Sequence, residues 1–160
     1  MENTLTSSRP DHPNVKIPPP LIYAAGFVLG LWLGRVVPVS VLPKTPSYIA
    51  AIVWIALWAV LGVWSIGLFR RAHTGFLPIR SATTLVISGP YRVTRNPMYL
   101  ALACLHVGLA LWFDVFWALV LLPLVMVAIQ YYVIVREEEY LESKFGDEYR
   151  QYKARVRRWL

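Results

Sequence analysis

Long apolar runs separated by short polar segments dominate the chain, and the length of each run predicts its element. Roughly 20 residues of helix, rising 1.5 Å each, cross the hydrocarbon core of a bilayer. The first run, Leu21 to Leu42 ("LIYAAGFVLGLWLGRVVPVSVL"), meets that length. Gly26, Gly30 and Gly34 recur at every fourth position in it and set a flat face for close helix packing. Arg35 can reach the interface from its far end, and Pro38 and Pro43 predict a turn. The second run, Ser47 to Phe69, carries no charge. The third, Met98 to Phe113, is only about 16 residues, short for a span. Asp114 interrupts it, and Val115 to Val135 makes a fourth, where Pro123 predicts a kink because it removes a helical hydrogen bond. Beyond lies "REEEYLESKFGDEYRQYKARVRRWL", with Leu141, Phe145, Tyr149 and Tyr152 at helical spacing. The pattern predicts an all-α integral membrane fold: about four transmembrane helices plus a C-terminal amphipathic cytoplasmic helix.

Composition agrees. The 160 residues are 57% hydrophobic with mean hydropathy +0.49, more apolar than ordinary soluble domains. The single cysteine, Cys104, excludes an intrachain disulfide and offers no metal-ligand spacing; it reads as a small core residue. The net charge of +7 changes the picture only through its distribution. Of sixteen Lys and Arg, only Arg35 and Lys44 lie outside residues 1–20, 70–96 and the tail after Val135. Those three segments are therefore expected on the cytoplasmic side, with both termini. No basic surface of nucleic-acid type is visible, so no nucleic acid is expected as a partner. Residues 1–20 read as a flexible polar arm rather than a signal peptide, with His12 solvated. Residues 21–69 read as two N-terminal transmembrane helices, and 70–160 as the functional core.

Candidate chemistry sits at the mouth of the third run, in "SGPYRVTRNPMYL", Ser88 to Leu100. Gly89-Pro90 is a turn, and Asn96-Pro97 is a helix start with Asn as cap and Pro at the first position. The free N–H groups there, with Arg95 beside them, suit a negative group such as a carboxylate. Tyr91 and Tyr99 supply ring faces and hydroxyls. A plainer reading makes Arg92 and Arg95 membrane anchors and the tyrosines interface belt. The second constellation is the acidic run after the fourth helix. Glu138 and Glu142 share a face, whereas Glu137 points elsewhere. Glu142, Asp147 and Glu148 read as solvated. A carboxylate at this mouth suits ribose hydroxyls or a sulfonium; a solvated helix face is the alternative. His106, inside the third run, is either an interhelical hydrogen-bonding contact or part of a cofactor cleft. No GxGxxG after a strand, P-loop, HExxH or Cys/His cluster occurs, which excludes a soluble Rossmann-type enzyme and a metal site.

Together these residues resemble the integral-membrane methyltransferases typified by the isoprenylcysteine carboxyl methyltransferase family, and more distantly the phospholipid N-methyltransferases. The matching positions are Gly89, Tyr91 and Arg95-Asn96-Pro97-Met98-Tyr99, then Glu137-Glu138, Leu141, Phe145-Gly146, Tyr149 and Tyr152. The resemblance covers roughly residues 70 to 160. It implies S-adenosylmethionine as cofactor, with S-adenosylhomocysteine as product, held in a cytoplasm-facing cleft. Tyr91, Arg95, Asn96 and Tyr99 would line that cleft, with Glu137 and Glu138 closing it; His106 stays a further cofactor-site candidate from its own position in the third run. Asn96 replaces the histidine usual in the carboxyl methyltransferases, and an amide does not titrate near neutral pH. The first two helices match no motif. The expected acceptor is lipophilic or amphiphilic, drawn from the membrane lipid: Arg136 or Arg95 would orient a carboxylate, Glu137 would take a proton from an amine, and a thiol is a third possibility. Two other readings remain open: an NADPH-dependent sterol-type reductase using Arg70, Arg71 and Arg80, and a scaffold packing through Gly26, Gly30 and Gly34.

Overall fold

A computed structural model describes residues 12–40, 43–74 and 82–160. It is helical throughout, with α1 (Pro19–Val36), α2 (Lys44–Arg71), a 3-10 turn (Gly89–Arg92), α3 (Pro97–Trp112), α4 (Phe116–Ile129), a π segment (Gln130–Ile134), α5 (Val135–Phe145) and α6 (Asp147–Arg155). Prolines at the starts of α1 and α3 fit because a first helical turn needs no N–H donor.

Among the described residues, three helices are long and apolar enough to cross a membrane: Pro19–Val36, Ser47–Arg71 within α2, and the continuous Phe116–Phe145. The last, of 30 residues, exceeds what hydrocarbon needs, and its surplus from Arg136 onward is polar and lies beyond the span. At 16 residues α3 falls short of that test. It nevertheless joins the two ends of the bundle. Ser47 Oγ, at the start of α2, donates to Leu111 O at 2.7 Å, while Tyr23 Oη, near the start of α1, donates to Tyr99 O at 2.9 Å.

Packing pairs α2 with α3 and α1 with α4, and α3 also lies against α4. The glycine face of α1 is used within the chain. A Cβ on Gly30 would sit 2.6 Å from the backbone nitrogen of Ala118, so only glycine lets these helices approach so closely. The main core gathers Val15, Tyr23, Tyr99, Val125, Ile129 and Val133. Val53, Val60 and Val63 on α2 point outward at 54%, 60% and 72% exposure, an arrangement suited to lipid rather than water.

α4 runs through Pro123 without a break in the helix, and a departure from α geometry follows at Gln130–Ile134. Two local expectations are corrected. The tail is not one helix: Gly146, at φ +53°, divides α5 from α6. Part of the arm also packs inward, with Val15 only 3% exposed; His12 is exposed, and residues 1–11 lie outside the described residues.

Candidate active site

The end of the bundle that gathers the arm, the turn before α3 and the tail encloses a cavity of about 300 Å³. That is the lower end of the range for small-molecule sites. Its polar wall brings together Tyr91, Arg95, Asn96 and Tyr99 with Glu137 and Glu138.

Each group is held by identifiable local structure. Gly89 opens the turn at φ +59°, and a Cβ there would lie 2.9 Å from Trp64 Nε1 and Leu68 Cδ1 on α2, so glycine is required twice over. Tyr91 then stacks edge-on against Phe69, and its carbonyl accepts a 2.7 Å hydrogen bond from Tyr152 Oη. Asn96 occupies the helix-cap position, but its side chain does not cap; its Nδ2 donates instead to Arg158 O at 2.9 Å. This corrects the expected capping role: the amide ties the helix start to the tail.

On the opposite wall, the π segment adds a residue to the helix and rotates the residues beyond it by about 100° relative to continued α geometry. Glu137 and Glu138, about 100° apart on the helix beyond it, both border the cavity. Glu142 faces out and pairs with Lys153 at 3.0 Å.

The two glutamates differ electrostatically. Glu138 is 6% exposed and takes Arg158 Nε and Nη2 on its two oxygens at 2.9 and 2.7 Å, with Arg95 Nη1 3.2 Å away. Among the described residues, no cation lies within hydrogen-bond range of Glu137; Tyr99 Oη donates to it at 2.6 Å. Burial pushes its carboxyl up to about 7; the Tyr99 hydrogen bond opposes that shift and the neighbouring Glu138 charge adds to it. Burial, then the Glu138 charge, lifts Tyr149 to about 12, so it remains a phenol. Arg95 is nearly enclosed, its side chain 10% exposed; its Nη1 lies in ion-pair range of Glu138 and its charge acts on Tyr149, yet Nε and Nη1 make no aligned hydrogen bond to any described residue.

Two proposed site residues lie elsewhere. His106 Nε2 is 3.0 Å from Ala118 O, and its ring sits edge-on to Phe27 at 5.5 Å, an interhelical contact away from the cavity. Arg136 Nη1 donates to Asn14 O at 3.3 Å, and its guanidinium lies over the Tyr132 ring. It too is absent from the cavity wall. Conversely, α2 contributes Trp58, Gly62, Ile66 and Phe69, although no motif marked them. Thr94 and Arg158 were also missed; their roles rest on backbone carbonyls more than 60 residues away, which no local pattern reveals.

Residues 46–148 match the phospholipid methyltransferase family, which is the family of membrane methyltransferases related to the isoprenylcysteine enzymes. The chain belongs to that family. The match takes in both polar walls of the cavity and the α2 residues beside them, while α1 and the tail from Tyr149 lie outside it. An uncharacterised protein of Haemophilus influenzae is 48% identical to this phospholipid methyltransferase family member over 63 residues, 39% of this chain and 100% of the other. No solved structure matches the chain.

Proposed function

We propose that this family member is an integral-membrane methyltransferase that uses S-adenosylmethionine to methylate an amphiphilic acceptor entering from the bilayer. The observation that carries the reading is the convergence of the two polar motifs on one cavity that is otherwise lined mainly by apolar residues of the arm, α2, the segment before α3, and α3. The residues suit this cofactor. Arg95 keeps unpaired donors in an enclosed site, which fits a carboxylate, and Glu137 is a carboxylate without a cationic partner, which fits a sulfonium or ribose hydroxyls. Tyr91 and Tyr99 supply flat walls. When bound, the cofactor supplies an electrophilic methyl group.

The chain's own contribution is placement and proton handling. Glu137, poised near neutrality, can hold the proton that an amine or thiol gives up on methylation. A carboxylate acceptor releases none and would meet the charge of Glu137, so an amine-bearing amphiphile fits best. Trp58, Gly62 and Ile66 offer an apolar surface for its hydrocarbon part. Arg136 and His106 are given supporting rather than chemical roles, since neither borders the cavity. We place the site and both termini on the cytoplasmic side, where most Lys and Arg lie.

The reductase reading is weaker, because Arg70 and Arg71 are exposed and off the cavity wall, and Arg80 lies outside the described residues. The scaffold reading loses its glycine face to α4. Calorimetric titration of detergent-purified protein with S-adenosylhomocysteine, with NADPH in parallel, separates the three. Saturable binding of S-adenosylhomocysteine, weakened by Arg95→Gln and Glu137→Gln, is expected. Binding of NADPH alone, or of neither ligand to folded protein, overturns the proposal.

A further inference from the structure

The segment after α6, Val156–Leu160, is held by a run of polar contacts, with Trp159 also packed against the main core. Arg157 O accepts from Arg95 N at 2.9 Å, beside a parallel bridge between Thr94 and Arg157. Arg158 O accepts from Thr94 Oγ1 at 3.1 Å and from Asn96 Nδ2 at 2.9 Å. The Arg158 guanidinium grips both oxygens of Glu138, and Trp159 Nε1 donates to Gln130 Oε1 at 2.9 Å in the π segment. Three consecutive residues thus tie the turn before α3 to the helix carrying the glutamates. Neither Arg158 nor Trp159 borders the cavity.

Their arrangement controls a group that does. Arg95 Nη1 is 3.2 Å from Glu138 Oε1, yet the contact lacks hydrogen-bond alignment and Arg95 keeps unpaired donors. Glu138 is aligned with Arg158 instead, in a two-pronged geometry suited to a guanidinium. Without Arg158, an enclosed carboxylate would be left with Arg95 as its nearest cation. Buried charges do not stay half-paired, so Arg95 would close onto Glu138 and withdraw its donors from the cavity.

We infer that Arg158 is a positioning residue for the cofactor site: by engaging Glu138 from outside, it keeps Arg95 available to an anionic group of the ligand. The inference rests on the reading of the cavity as a cofactor site. It also reassigns Glu138, whose carboxylate holds the arginines rather than the ligand.

Titration of the full chain in detergent with S-adenosylhomocysteine tests it, with thermal melting to confirm folding. Arg158→Gln is expected to weaken binding about tenfold, and Arg158→Lys to weaken it less, because an ammonium keeps the charge but not the fork. The deciding variant is Arg158→Gln with Glu138→Gln. Removing the carboxylate removes the competitor for Arg95, so the double variant binds better than Arg158→Gln alone. A role confined to stability would not produce that recovery. Wild-type-like binding in both single variants, or a double variant weaker than Arg158→Gln, overturns the inference. If Arg158→Gln does not fold, Arg158→Lys alone and with Glu138→Gln gives the same comparison. Loss of binding in the wild type would overturn the cofactor reading itself, a different result from binding that ignores Arg158.

Discussion

At the scale of single residues, Glu137 is the group whose behaviour the surroundings most clearly set. Its carboxyl is held at about 7 in the fold against an ordinary 4.5. Between those values the folded protein retains a proton that the unfolded chain has released. Stability therefore falls as pH rises through that window and levels off above it. The melting temperature of ligand-free wild type should accordingly decline from about pH 5 to about pH 8 relative to Glu137→Gln, whose amide does not titrate. Parallel curves would show that Glu137 is charged throughout. Tyr99→Phe provides the opposite perturbation. The Tyr99 hydroxyl favours the charged carboxylate through a 2.6 Å hydrogen bond, so its loss moves the titration of Glu137 to still higher pH. Both residues were visible in the sequence as members of two motifs, but their contact was not. The 38 positions between them are bridged by a helix reversal and a π segment, neither of which a motif encodes.

At the scale of elements, the helices were legible because each apolar run falls on a helix, although the helix from Phe116 continues for 30 residues, well past its run, and α1 stops at Val36, short of Leu42. The glycine periodicity of α1 was equally legible as a packing face, though not its partner. The structure assigns that partner as α4, with very different tolerances along the face. Gly30→Ala drives a methyl against the Ala118 backbone, which cannot yield as a flexible side chain would. A loss of about 1–3 kcal/mol is expected. Gly34→Ala meets nothing closer than Trp117 Cδ1 at 4.0 Å and should melt near wild type. Equal effects at the two positions, followed by thermal melting in detergent, would mean that α1 does not dock on α4 in this register. What the pattern could not give was the break at Gly146 or the grip of residues 157–159. A glycine in a polar helical stretch is ambiguous until its φ is known. A segment held largely by main-chain carbonyls leaves little side-chain signature: Arg158 reads as one more basic residue of the tail and Trp159 as one more interface aromatic.

At the scale of the whole molecule, the question is how many times the chain crosses the bilayer. The lengths of the helices and their connections point in different directions. Length admits α1, α2 and the helix from Phe116, an odd number that would separate the arm from the tail. Yet Arg136 donates to Asn14 O, and Val15 shares a buried cluster with Val133 and Ile134, so arm and tail meet at one end. The far end is held by Ser47 on Leu111 and by Ser40 on Asp114 at 2.7 Å. The 16 residues of α3 carry the chain between those ends, spanning about 24 Å. A bilayer can thin locally to accommodate so short a helix at modest cost. We therefore propose four crossings, which would put Asn14 and Glu148 on one side and Val39 on the other. Cysteine labelling in sealed vesicles checks this directly: a Cys104→Ser background carries Asn14→Cys, Glu148→Cys or Val39→Cys, each probed with a membrane-impermeant maleimide. The first two should react from the cytoplasmic face and Val39→Cys only from the other, in keeping with the concentration of Lys and Arg at the site end. Reaction of Asn14→Cys and Glu148→Cys from opposite faces would mean that α3 does not cross. The cavity would then not have the single aqueous mouth that the proposed cofactor and acceptor require.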